Sequence, residues 1–153
     1  MKKEFLTINK IPAVLWGAEA VKVIIAVHGN MSHKTDLPIE VLAEVALKNG
    51  YQVLSFDLPE HGDRKSEEPP CKVQPCVKDL DIIMQYAKDK WNHMSLFANS
   101  MGAYFSLLSY GNEDLERAWF LSPVVDMQRI IENMMTILRP ITSWNKESPT
   151  KGT

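Results

Sequence analysis

Ser100 lies between small residues two positions to either side, in Ala98-Asn99-Ser100-Met101-Gly102, and the short apolar run Met94-Ser95-Leu96-Phe97-Ala98 leads into it. A stretch with helical character leaves it, from Gly102 to about Tyr110. Strand, turn and helix in that order hold a hydroxyl on a tight turn above the end of a sheet, and small flanking residues let strand and helix approach closely. A hydroxyl presented in this way can attack an acyl carbon. The competing reading is a serine that only caps the helix, since serine is a favoured N-cap residue.

Two further motifs precede the serine turn in the chain. His28-Gly29-Asn30 follows the apolar run Val23–Val27, and Asp57-Leu58-Pro59-Glu60-His61-Gly62 follows Tyr51–Phe56. These three motifs, in this order between Val23 and Asp126, resemble the α/β-hydrolase superfamily of serine hydrolases. The resemblance implies that Ser100 is the nucleophile and that the backbone N–H groups of Asn30 and Met101 form an oxyanion hole. Amides at a strand end and at a helix N-terminus are suited to stabilising the oxygen that becomes negative when a hydroxyl adds to an acyl carbon.

A serine hydroxyl is a weak nucleophile until a histidine takes its proton, and that histidine is itself held by a carboxylate. The family resembled carries them in the order serine, acid, histidine. Here all four histidines, His28, His33, His61 and His93, precede Ser100. The resemblance gives His28 a structural part beneath the oxyanion turn. His61, on a neighbouring loop, is either an auxiliary base or a solvated side chain, while His33 and His93 have weaker claims. Asp126 is either the acid of the site or a solvated aspartate at a helix start. Two functions follow: a serine hydrolase of ester, thioester or amide acyl groups, catalytically impaired as this chain, or a non-catalytic remnant of the fold that serves as a binding or interaction module.

The elements that must position these residues alternate between strand and helix. Glu4–Ile8 and Ile11–Trp16, joined at Asn9-Lys10, predict an antiparallel hairpin at one edge. Val23–Val27 is apolar on both faces, as befits a central parallel strand. Leu37, Val41, Leu42, Val45 and Ala46 are the apolar positions of a predicted amphipathic crossover helix that stops at Asn49-Gly50. Tyr51–Phe56 is the next strand, and residues 57–70 form a loop. Val73, Cys76, Val77, Leu80, Ile83, Met84 and Ala87 make the clearest helical stripe. Ala118–Leu121 is the sixth strand. The pattern predicts an α/β fold with a doubly wound, mostly parallel sheet, truncated after the sixth strand. One domain is expected over residues 1–138, including a helix over 124–138, followed by an irregular tail over 139–153.

Composition narrows the partners. An apolar fraction of 45% in 153 residues suits one globular domain. A net charge of −2 supplies no basic field for nucleic acid. The N-terminal residues lack the apolar core of a signal peptide, and no run is long enough to span a membrane, so a cytoplasmic protein is expected. Cys71 and Cys76 read as two free thiols rather than metal ligands, and neither a metal nor a cofactor is expected. The small acyl substrate is the expected ligand. Ala118–Leu121 carries no lysine or proline guard, which predicts either a homodimer through this edge or cover by the 124–138 segment.

Overall fold

The computed structural model describes residues 1–66 and 70–123. Six strands form one sheet: β1 (Lys3–Ile8), β2 (Ile11–Trp16), β3 (Lys22–Val27), β4 (Tyr51–Phe56), β5 (His93–Asn99) and β6 (Ala118–Leu121). Their spatial order is β1-β2-β4-β3-β5-β6. β1 and β2 pair antiparallel through a two-residue turn in which Asn9 and Lys10 both have positive φ, 47° and 72°, the geometry whose twist suits a tight hairpin. β2 also runs antiparallel to β4, and β4, β3, β5 and β6 are mutually parallel. This is the doubly wound, mostly parallel sheet with an antiparallel hairpin that the sequence pattern predicts, and β3 is central in it. Asp126, the 124–138 helix, the 139–153 tail and the boundary at 138 all lie outside the described residues.

Side-chain alternation splits the core into two layers. Val23, Ile25, Val27, Leu54, Phe56, Leu96 and Ala98 pack on one face with helices α2 (Val73–Lys90) and α3 (Met101–Tyr110). Ile24, Ala26 and Val53 face helix α1 (Leu37–Lys48) on the other. α1 begins where Asp36 accepts a hydrogen bond from the Ile39 amide at 3.0 Å, with proline in the first turn, where its missing N–H costs nothing.

The buried face of α1 takes only part of the apolar set expected from the sequence: Ala46 and, in part, Leu42 meet the core, while Leu37, Val41 and Val45 do not. Ile39, Ala43 and Ala46 are fully or nearly fully buried, whereas Leu37, Val41 and Val45 are 70%, 51% and 57% exposed. Both sets have helical spacing, and the phase is decided by the Asp36 cap and by the small side chains, which let the helix lie close on β3 and β4. The outer set forms an apolar ridge beside an open groove of about 430 Å³, bounded by α1 and by Phe97 and Trp119 of β5 and β6.

At the carboxyl ends of the strands the loops after β3 and β4 are joined by buried charge. Asp57, fully buried, accepts from the Lys34 amide at 2.8 Å, from Lys34 Nζ at 2.6 Å and from the Asp63 amide at 2.9 Å. Gly62, at φ 55°, has no room for a side chain, because a Cβ there would lie 2.2 Å from the Asp57 carboxylate. Lys34 Nζ also pairs with Asp63. Burial works against the Lys34 charge, but its bonds to Asp57 and Asp63 outweigh this and raise its pKa above 10.5. Removing one partner of a buried pair leaves an uncompensated charge, so Asp57→Ala is expected to lower stability by about 3 kcal/mol. Urea denaturation measures this, and a loss below about 0.5 kcal/mol would show that Lys34 is adequately held without Asp57.

Candidate active site

Ser100 occupies the tip of the turn between β5 and α3, with φ 50° and ψ −116°. Backbone of this kind costs a non-glycine residue roughly 1–3 kcal/mol and persists only where its surroundings hold it. Three contacts do so. The Ser100 amide donates to the Leu121 carbonyl at 3.0 Å, its carbonyl accepts from the Ala103 amide at 3.0 Å, and Gly102 brings the start of α3 against the end of β3. A Cβ on Gly102 would fall 2.4 Å from the His28 carbonyl oxygen and 2.8 Å from that of Val27. The Ser100 side chain makes no capping bond to α3. The hydroxyl therefore does not serve the helix in the way an N-cap serine does.

The His28-Gly29-Asn30 turn rests directly on this tip: a Cβ on Gly29 would be 3.3 Å from Ser100 Cβ and from the Asn99 carbonyl oxygen. Asn30 is exposed at the mouth of the turn, and Met101 is buried as the first residue of α3. Backbone strain gathers here as well. Of the non-glycine residues with positive φ among those described, Met31, Glu60, Ser100 and Ser122 all follow strands at their carboxyl ends. Residues held in sparsely populated conformations concentrate where a fold presents functional groups.

His28 is fully buried and both of its ring nitrogens are engaged. The Leu58 amide donates to Nε2 at 3.0 Å, which leaves the proton on Nδ1, and Nδ1 donates to the Gly29 carbonyl at 2.7 Å. The ring thus ties the His28-Gly29-Asn30 turn to the loop after β4. Burial lowers its pKa to about 4, with the nearby His61 ring adding to the effect and the Gly29 bond opposing it.

His61 is set beside His28, with ring centroids 5.1 Å apart. Its Nδ1 faces the Pro59 carbonyl at 2.8 Å, and Nε2 lies 3.4 Å from Asn30 Oδ1. Burial pulls its pKa down, but bonds to the Cys71 thiol and the Pro59 carbonyl outweigh this and raise it above 6.5. The structure therefore brings Ser100, Gly29, His28, Asn30 and His61 into one cluster of loops. His93 is remote, at the first residue of β5, where it pairs with Glu116. His33 is exposed and bonds Thr35. Asp126 lies outside the described residues. The sequence reading missed the Lys34–Asp57–Asp63 cluster and the Cys71–His61 contact. Among the described residues, no three histidine, cysteine or acidic side chains are grouped to hold a metal ion.

The sequence matches no protein-family model and no curated protein. Solved structures do resemble it. Est1E from Butyrivibrio proteoclasticus, seen with bound ferulic acid, superimposes with a TM-score of 0.70 at 18% identity, covering 85% of this chain and 56% of that one. An esterase of Pyrococcus furiosus gives a TM-score of 0.70 at 20% identity, with 95% and 59% covered. A serine hydrolase without a lid, XC6422 from Xanthomonas campestris, gives 0.68 at 15% identity, with 80% and 62% covered. The chain thus spans between 56% and 62% of the length of these three.

The His28 bonds set a proton balance. Below pH 6.5 the unfolded chain takes up a proton that folded His28 refuses until about pH 4, so the fold loses stability as pH falls through that interval, by roughly 3 kcal/mol in full. The expected NMR titration of the His28 ring has its midpoint near pH 4, with the proton on Nδ1 above it. A midpoint at 6.5 in the folded protein would mean that Nε2 does not accept from Leu58.

Proposed function

We propose that this chain, which has the α/β-hydrolase fold, is a serine hydrolase-type protein in which Ser100 is the nucleophile toward ester, thioester or amide acyl groups. The observation that carries this reading is the conformation of Ser100: a strained serine, not capping its helix, on a turn packed against the His28-Gly29-Asn30 loop. In the proposed reaction the Ser100 oxygen adds to the acyl carbon, and the carbonyl oxygen, now negative, is stabilised by the amides of Asn30 and Met101. Collapse expels the leaving group and forms an acyl-serine ester, and water then releases the acid. The substrates of the esterase-like neighbours support an acyl compound as the ligand. No cofactor enters this scheme. His28 cannot take the serine proton while its Nε2 accepts from Leu58 and its Nδ1 proton is committed to Gly29. His61, which is nearer the mouth of the site and more basic, is the better auxiliary base, with Asp126 as the acid of the reading. All the histidines precede Ser100 in sequence, so the chain alone is proposed to be catalytically impaired.

A non-catalytic binding module is the second reading, favoured by the His28 ring, both of whose nitrogens are committed within the fold. A fluorophosphonate separates the two, because phosphonylation requires an activated hydroxyl. The expected outcome is slow, stoichiometric labelling of Ser100 that Ser100→Ala abolishes, with turnover of activated esters at most about 10³-fold over water. An unlabelled Ser100 in folded protein would leave the binding module standing. Turnover near ~10 s⁻¹ would mean that a fully competent base is present.

The proposal extends to a protein partner. β6 pairs only with β5 among the described strands, and Trp119, Phe120 and Leu121 are each more than a third exposed. An apolar, unguarded edge is a template for strand pairing. A homodimer joined along Ala118–Leu121 is expected, and light scattering at micromolar concentration should give twice the chain mass. A monomer at that concentration would assign cover of this edge to the chain's own residues after Pro123.

A further inference from the structure

The loop after β4 leads to a feature that the acyl chemistry does not use. Cys71 precedes α2, and Cys76 lies in its first turn. Their sulfurs are 3.6 Å apart, both buried, and both are free thiols. A disulfide requires about 2.05 Å, so closing the bond takes a movement of roughly 1.5 Å, within reach of rotation of Cys71, which sits outside the helix. Cys71 is held from the other side by the loop that carries His61: its amide donates to Glu60 Oε2 at 2.7 Å and its thiol contacts the His61 ring.

We propose that Cys71 and Cys76 form a redox-active pair that hydrogen peroxide converts to a disulfide, with Cys71 as the attacking sulfur and Cys76 as the resolving one. The asymmetry comes from the surroundings. The hydrogen bond from Cys76 and the contact with His61 lower the Cys71 pKa to about 6 against the opposing effect of burial and of Glu60. Cys76, bonded to Cys71, buried and facing Asp79, is pushed strongly up, with only Arg64 opposing. The start of α2 adds a positive end that favours a thiolate.

In the first step the Cys71 thiolate attacks one peroxide oxygen; an S–O bond forms, the O–O bond breaks, and the departing hydroxide takes a proton to become water. In the second the Cys76 sulfur attacks Cys71; the S–S bond forms, the S–O bond breaks, and the released hydroxide accepts the Cys76 proton as a second water. Two thiols lose two electrons in all, and one peroxide is reduced. Peroxide is small enough to reach a cysteine only 2% exposed. The product removes the thiol from His61, so the loop beside Asn30 has a different partner in each redox state.

Peroxide treatment of the folded protein, followed by mass spectrometry, tests this directly. The expected product has lost two hydrogens, shows neither thiol when unfolded with a thiol reagent, yields Cys71 and Cys76 peptides joined after trypsin cuts at Lys72, and regains both thiols with dithiothreitol. The rate should rise through pH 6 rather than through the ordinary thiol range of about 8.5. In His61→Gln that midpoint should move up. Cys76→Ser should accumulate a sulfenic acid on Cys71 that dimedone captures, while Cys71→Ser should leave Cys76 a thiol. Two intact thiols after a dose that oxidises free glutathione would overturn the proposal. So would irreversible oxidation of either sulfur without a disulfide, or equal reactivity of the two single variants. If a variant fails to fold, the mass and thiol count of the unaltered chain decide alone.

Discussion

The buried Asp57 carboxylate is the constraint on which the arrangement of loops depends. A carboxylate removed from water must be compensated by nearby donors, and here the compensation is split between two loops: the Lys34 amide and ammonium come from the segment after β3, and the Asp63 amide from the segment after β4. Satisfying one charge therefore fixes the relative position of both loops. Further bonds spread from the same point. The Asp57 amide donates to Pro12 of the edge hairpin, its carbonyl accepts from Arg64, and Arg64 pairs with Asp79 of α2. Ser55, two residues earlier on β4, donates to the Lys34 carbonyl and accepts from Trp16.

His28 applies the same logic with an uncharged group. Its ring lies in the same gap between the two loops, but there the lowest-cost solution is neutrality, because one nitrogen already accepts an amide and the other already donates to a carbonyl. A protonated ring would lose the Leu58 bond and bury an unmatched charge. The carboxyl ends of β3 and β4 are thus locked by one ionic and one neutral bridge, and the turn bearing Ser100 is fitted against the locked surface by two glycines, Gly29 and Gly102.

Much of this was legible in the sequence where a local rule governed it. The six strands were readable from apolar runs punctuated by turn residues, and Ala118–Leu121 is the sixth strand with the limits expected. Ala98-Asn99-Ser100-Met101-Gly102 announced a strand-to-helix turn because only small residues allow that approach. What was not legible depended on distance or on phase. Lys34 and Asp63, which meet at Asp57, are 29 positions apart, and nothing in the spacing of Lys34, Asp57 and Asp63 announces an encounter. The Cys71–His61 contact depends likewise on how an irregular loop folds back. In α1 the periodicity alone does not fix the phase: Ala46 and Leu42 of the expected set do meet the core, but close packing on β3 and β4 favours the small or well-placed Ile39 and Ala43 beside them and leaves Leu37, Val41 and Val45 outside.

The bond from the Ser100 amide to the Leu121 carbonyl joins the serine turn to the outermost described strand. It makes the two a single thermodynamic unit. Fraying of β6 frees the Ser100 amide and removes one of the restraints on its positive φ, so the population of the strained conformation follows the population of intact edge pairing. Linkage works in both directions and by the same free energy. Whatever lies along Ala118–Leu121 biases the serine, and a molecule that requires the strained serine conformation strengthens the edge strand by an equal amount. The edge strand is in this sense an effector position for the hydroxyl, without contact with anything bound there.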